Sequence, residues 1–151
     1  MKRSIVIAAG LAATLALVAC GDDDEGGSGS ANDYCTLIVS FQEKSEVVDD
    51  VLSSSDSSPA DVEDAMNAVK PMVAQLQSAA PAEIKADVET MASATLRMIE
   101  IFEQYEYDFM ALSTAPELAE IEELTSSAEV EAASERLNDY EETTCGISPE
   151  S

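Results

Sequence analysis

The chain has 151 residues, with 7 Lys and Arg against 31 Asp and Glu, no His, no Trp and 3 Cys, a length that suits one small domain. A formal charge of −24 repels a phosphate backbone, and no run of Lys or Arg offers counterion release, so nucleic-acid binding is excluded. Without histidine the chain has no Ser-His-Asp or Cys-His nucleophile pairing, none of the common zinc sites and no Glu-x-x-His ligands for a di-iron bundle; no cofactor and no metal centre are expected.

Lys2 and Arg3 precede an apolar run from Ile5 to Ala19 interrupted only by Thr14. A run of about 15 residues falls short of the ~20 that a spanning helix needs, so residues 1–19 are predicted to be a secretory signal peptide. The run closes on Leu17-Val18-Ala19-Cys20, which resembles the lipobox of bacterial lipoproteins. What that resemblance implies is cleavage before Cys20, a thioether diacylglyceryl group on its sulfur and acylation, typically by palmitate, of the new amino group. Two or three acyl chains anchor stably where one does not, since each buried methylene contributes about 0.8 kcal/mol. The expected location is therefore the extracytoplasmic face of the cell membrane, with the membrane itself as the first partner.

Residues 20–32 are the lipidated cysteine and a polar, glycine-rich stretch with no apolar side chain larger than alanine. Such a segment buries nothing and reads as a flexible tether with an r.m.s. span of roughly 20 Å. Its run Asp22-Asp23-Asp24-Glu25 lacks the alternation and turn glycine of an EF-hand loop. If lipidation consumes Cys20, Cys35 and Cys145 remain as a pair in a compartment that permits disulfides.

Residues 33–147 carry apolar side chains at helical spacing, and residues 148–151 are a short tail. The first stripe is Tyr34, Ile38, Phe41, Val48 and Leu52. A serine-rich break follows, in which Ser58 is positioned as an N-cap, Pro59 as the first helical residue and Asp61 as the third. The second stripe, Val62, Met66, Val69, Val73 and Leu76, contains Pro71, which predicts a kink or a fresh helix there. The third runs Ile84, Val88, Met91, Thr95, Met98, Phe102, Tyr105, Phe109 and Leu112, a seven-residue repeat that predicts one helix of about 30 residues and ~45 Å. Thr114 to Glu117 has capping-box spacing ahead of Leu118 and Ile121. The phase slips near Thr125-Ser126-Ser127, predicting a break recapped by Ser126 with Glu129 three residues on, after which Val130, Ala133, Leu137 and Tyr140 resume. Gly146 marks the stop.

No alternating run or hairpin turn argues for strands. The fold class is all-α, an up-down four-helix bundle with a kinked second helix and a broken last helix. An even number of antiparallel passes returns the chain to its starting end, so Cys35 and Cys145 should meet there in one disulfide joining the two ends.

Among 31 acidic residues chance pairs are inevitable. Glu89, Glu100, Glu103 and Glu106 fall off the apolar seam, where a solvated face is expected, and no buried acid/base dyad stands out. The chain is therefore not expected to be an enzyme. Crowded carboxylates such as Glu117, Glu120, Glu122, Glu123, Glu129 and Glu131 leave a divalent-cation-responsive or buffering role as the alternative. The methionines read as core filling. Tyr107 points away from the seam on a 100° wheel, and with Met110 it marks the expected partner surface, for an envelope protein or a small ligand.

Lipobox, acidic Gly/Ser tether, Tyr34-Cys35 at the start of a helical domain, the Ala80-Pro81-Ala82-Glu83-Ile84 segment and terminal Cys145-Gly146 together resemble the small predicted lipoproteins of high-GC Gram-positive (actinobacterial) bacteria. That resemblance implies location and fold, and no catalytic residues. The expectation is a lipid-anchored extracytoplasmic helical binding or interaction module of the cell envelope.

Overall fold

The computed structural model describes residues 29–147. The leader, the lipobox with Cys20, tether residues 21–28 and the tail 148–151 lie outside the described residues. Among the described residues the secondary structure is helical throughout, and no helix is long and apolar enough to cross a membrane.

Helix α1 (Ala31–Ser53) starts where the Ser30 hydroxyl accepts a hydrogen bond from the Asp33 N–H at 3.1 Å, so the last two residues assigned to the tether are helical. Gly29 just ahead of it donates its N–H to the Ala80 carbonyl at 3.2 Å. A Cβ on Gly29 would lie 1.9 Å from the Ala79 carbonyl oxygen, so only glycine allows the chain to enter this close to the neighbouring turn.

Helix α2 (Pro59–Ala79) carries the expected capping box: the Asp61 N–H donates to the Ser58 hydroxyl, and the Ser58 N–H donates to Asp61 Oδ2 at 2.8 Å. Pro71 starts no new helix. Its ring faces solvent, and burial of Val69 and Val73 on either side carries the helix through it; one lost backbone bond is outweighed by two buried valines.

Helix α3 (Lys85–Gln104) is 20 residues long and stops well short of the predicted 30. The heptad pattern continues past Gln104, but the backbone turns left-handed at Glu106 (φ 51°) and Tyr107 (φ 59°). There the Glu106 N–H donates to the Glu103 carbonyl and the Tyr107 N–H to the Phe102 carbonyl at 2.9 Å. This is the Schellman arrangement, normally closed by glycine, with Glu106 in the left-handed position. Tyr107 and Phe102 lie in the same apolar cluster, and burying them outweighs the two left-handed residues, which cost about 1–2 kcal/mol each.

The last pass is assembled from pieces. Asp108 caps the short α4 (Phe109–Leu112), accepting from the Met110 and Ala111 N–H groups. The predicted Thr114–Glu117 box does not form: Thr114 donates to the Ala111 carbonyl, and Glu117 accepts from the Tyr105 hydroxyl. Helix α5 (Leu118–Ser126) then gives way to α6 (Ala128–Tyr140), whose cap is Ser127 rather than Ser126, accepting from the Val130 N–H. A π-helical turn (Glu141–Cys145) completes the pass and closes on Gly146 at φ 68°.

These elements make the all-α, four-pass bundle, with α1 packed on α2, α2 on α3, α3 on α6 and the π-turn on α1. Cys35 and Cys145 meet at the starting end in a disulfide, Cα atoms 5.3 Å apart across 110 residues of sequence. Helix α3 is the hub. Its buried surface is wider than the heptad seam and takes in Ala92, Ile99 and Ile101, the last 0 % exposed. Ion pairs fasten it to its neighbours: Lys70 of α2 to Glu103, Arg97 to Glu120 of α5, and Arg136 of α6 to Asp87.

The core falls into two large clusters. At the disulfide end Tyr34, Ile38, Leu76, Ile84, Val88, Leu137 and Tyr140 pack together. At the far end Val62, Met66, Ile99, Ile101, Phe102, Tyr107 and Leu112 do the same, and a waist of Val69, Val73 and Ala92 joins them.

Candidate functional site

Helix α6 packs on α3 and reaches α1 chiefly through the π-turn, so the wall between α1 and α6 is not closed along its length. An apolar cavity of about 180 Å³ lies there, lined by Ile38 and Phe41 of α1, Val73 and Leu76 of α2, Val88, Met91 and Thr95 of α3, and Ser134, Leu137 and Asn138 of α6. Tyr34, Gln42 and Glu141 line the same space and are hydrogen-bonded to one another there.

Glu141 is the group that defines the site. It is 7 % exposed, the Tyr34 hydroxyl donates to its Oε1 at 3.0 Å, and the Gln42 side-chain amide donates to its Oε2 at 3.2 Å. Among the described residues no Lys or Arg pairs with it: the cations that form ion pairs go to Glu103, Glu100, Glu120 and Asp87. Burial pushes the Glu141 carboxyl above its ordinary range, only partly offset by the Tyr34 hydrogen bond. Burial and the adjacent carboxylate raise the Tyr34 phenol in turn, so Tyr34 remains a hydrogen-bond donor. The rings of Tyr34 and Tyr140 meet edge to face, centroids 5.9 Å apart, which fixes the Tyr34 hydroxyl in place. Tyr140 is itself buried, and its hydroxyl has no hydrogen-bond partner among the described residues.

Local sequence explains how the carboxylate comes to be inside. Glu141 follows Leu137 by four residues and so continues the apolar face of α6, and the π-turn begins at Glu141 itself, with both the Gly146 and Ile147 N–H groups donating to its carbonyl. The disulfide to Cys35 then draws this turn onto α1, one residue from Tyr34. Sequence reasoning passed over Glu141 and Gln42. The available signal was a Glu at a seam position, hidden among 31 acidic residues.

The other buried acid, Asp87, faces a different surface and is neutralised by Arg136, whose Nη2 donates at 2.6 Å. The groove thus holds one buried carboxylate, Glu141. Glu89, Glu100, Glu103 and Glu106 are exposed, as expected for a solvated face. No group of three carboxylates or cysteines among the described residues is placed to hold a metal ion.

The expected partner surface splits. Met110 is 75 % exposed, with Phe109 beside it at 46 %, but Tyr107 is buried at 9 %. The correction follows from the end of α3: a helical wheel ceases to apply past Gln104, and the left-handed turn swings Tyr107 inward and Phe109 outward. Cys35 and Cys145 form the expected pair, whereas Leu17, Val18, Ala19 and Cys20 lie outside the described residues. No family model, no curated protein and no solved structure matches the chain.

Proposed function

We propose that the protein is a lipid-anchored binding module on the extracytoplasmic face of a bacterial cell membrane, and that the groove between α1 and α6 is its ligand site. The single observation that carries the binding role is the apolar cavity of about 180 Å³ with an unneutralised carboxylate buried in its wall. A cavity of comparable volume, ~150 Å³, admits a six-carbon ring, and concave apolar sites with a few placed polar groups are where small ligands bind. The anchor rests on the Leu17–Cys20 motif. The chain enters the bundle at the disulfide end, with Gly29 against the α2–α3 turn, so the proposed tether joins that end, and Phe109 and Met110 lie at the other. Among the described residues no ligand set converges on a cation site.

Two measurements test the proposal. Protein expressed with its leader should fractionate with membranes and have an intact mass matching residues 20–151 plus two or three acyl chains, and Cys20→Ser should carry no acyl mass and keep residues 1–19. An intact mass for the parent protein with no acyl chains would overturn the anchor. A nuclear magnetic resonance screen of compounds of about six to eight heavy atoms should shift the signals of Phe41, Met91 and Leu137. A screen that leaves all three unmoved would overturn the groove as the site.

A further inference from the structure

Resting on the groove as the ligand site, we propose that its ligand is a compact organic cation, a primary amine on an apolar body, held by its ammonium on Glu141. The walls supply the apolar half of that recognition through Phe41, Met91, Val73 and Leu137. The polar half follows from counting donors and acceptors. A carboxylate offers about four lone-pair sites, and here Tyr34 and Gln42 use one each. An ammonium brings three donors and the missing positive charge, and a buried anion is stable only when it is paired or protonated. Every ion pair among the described residues leaves Glu141 without a cation, so its ionised form has room for a complementary charge brought by a ligand, and without one the site favours the protonated acid. The excess of 31 acidic over 7 basic residues enriches small cations at the surface. A carboxylate ligand would meet Glu141 with like charge, and a neutral one would leave it uncompensated.

Isosteric probes decide. Titration calorimetry of the folded chain with benzylamine, benzyl alcohol and benzoate should show benzylamine binding at least 10-fold more tightly than the alcohol, and benzoate not at all. Glu141→Gln should remove that preference while leaving the alcohol's affinity within 2-fold, and Glu141→Asp should retain it. Melting curves confirm that each variant folds. Equal affinity for amine and alcohol would overturn the cation proposal and leave the groove standing. A preference for amine that survives in Glu141→Gln would mean attraction to the acidic surface alone, and would also overturn it. Binding of none of the three would overturn the groove and the cation together.

Discussion

The two ends of the bundle are closed by different means. At the disulfide end the chain is tied covalently through Cys35 and Cys145, and the core around the tie contains a polar triad, buried Tyr34 and Glu141 with half-buried Gln42, beside an open groove. At the far end there is no covalent tie. Met66, Ile99, Ile101, Phe102, Leu112 and an inward-turned Tyr107 fill the interior, with side-chain bonds such as Tyr105 to Glu117 at its edge. One end therefore tolerates an apolar cavity and an unpaired carboxylate because the ring closure supplies stability from outside the packing. The other has only its packing.

That contrast can be broken most sharply at the disulfide. Replacing Cys35 and Cys145 together by Ser should cost about 4–5 kcal/mol by loop-closure entropy, a large share of a typical net stability of ~5–15 kcal/mol. Chemical denaturation would read it, and resonances around Glu141 should broaden before those around Met66. Truncating the far core by Met66→Ala should cost about 2–5 kcal/mol and leave small-molecule binding in the groove intact. If it abolishes binding, the two ends are not independent. In the opposite direction, Glu106→Gly removes both a left-handed non-glycine residue and an acid at a helix C-terminus, and should stabilise the protein by about 1 kcal/mol in melting experiments.

The gentlest change is Glu141→Gln, and its effect depends on pH. Burial favours the neutral acid, so the native state keeps this proton to higher pH than the unfolded chain does. The stability Glu141 contributes is complete below its ordinary value of 4.5 and is lost as pH rises through the raised native value. Glu141→Gln should therefore melt above the parent at pH 8, with the gap closing toward pH 4.5. The exposed Glu123→Gln serves as the baseline for general charge repulsion. A gap no larger than that baseline would show that Glu141 is not desolvated in solution.

Local pattern made much of this molecule legible. The stripes at Val62, Met66, Val69, Val73 and Leu76, the box at Ser58 and Asp61, and the stop at Gly146 are short-range features, set by 3.6-residue periodicity and by hydrogen bonds within one turn. Antiparallel parity and the two cysteines made the disulfide legible as well. The end of α3 was not legible, because the heptad repeat continues through Tyr105 and Phe109 and no glycine marks the turn. What ends the helix there is the burial of Tyr107 against Phe102 in a cluster that α2 helps to build, information that lies some 40 residues away in sequence. The capping at Thr114–Glu117 failed for a related reason, since Glu117 was taken by Tyr105 across the turn.

The sequence by itself determined the helical class, the number of passes, the cap of α2 at Ser58 and the pairing of Cys35 with Cys145, because each depends on periodicity, parity or contacts within a few residues. Only the tertiary structure decided that Glu141 and Asp87 are buried, where α3 stops and which side of the bundle stays open. Those follow from how a π-turn, a disulfide and two distant side chains meet in space, and burial of a charge is a property of everything packed around it rather than of the residue or its neighbours in the chain.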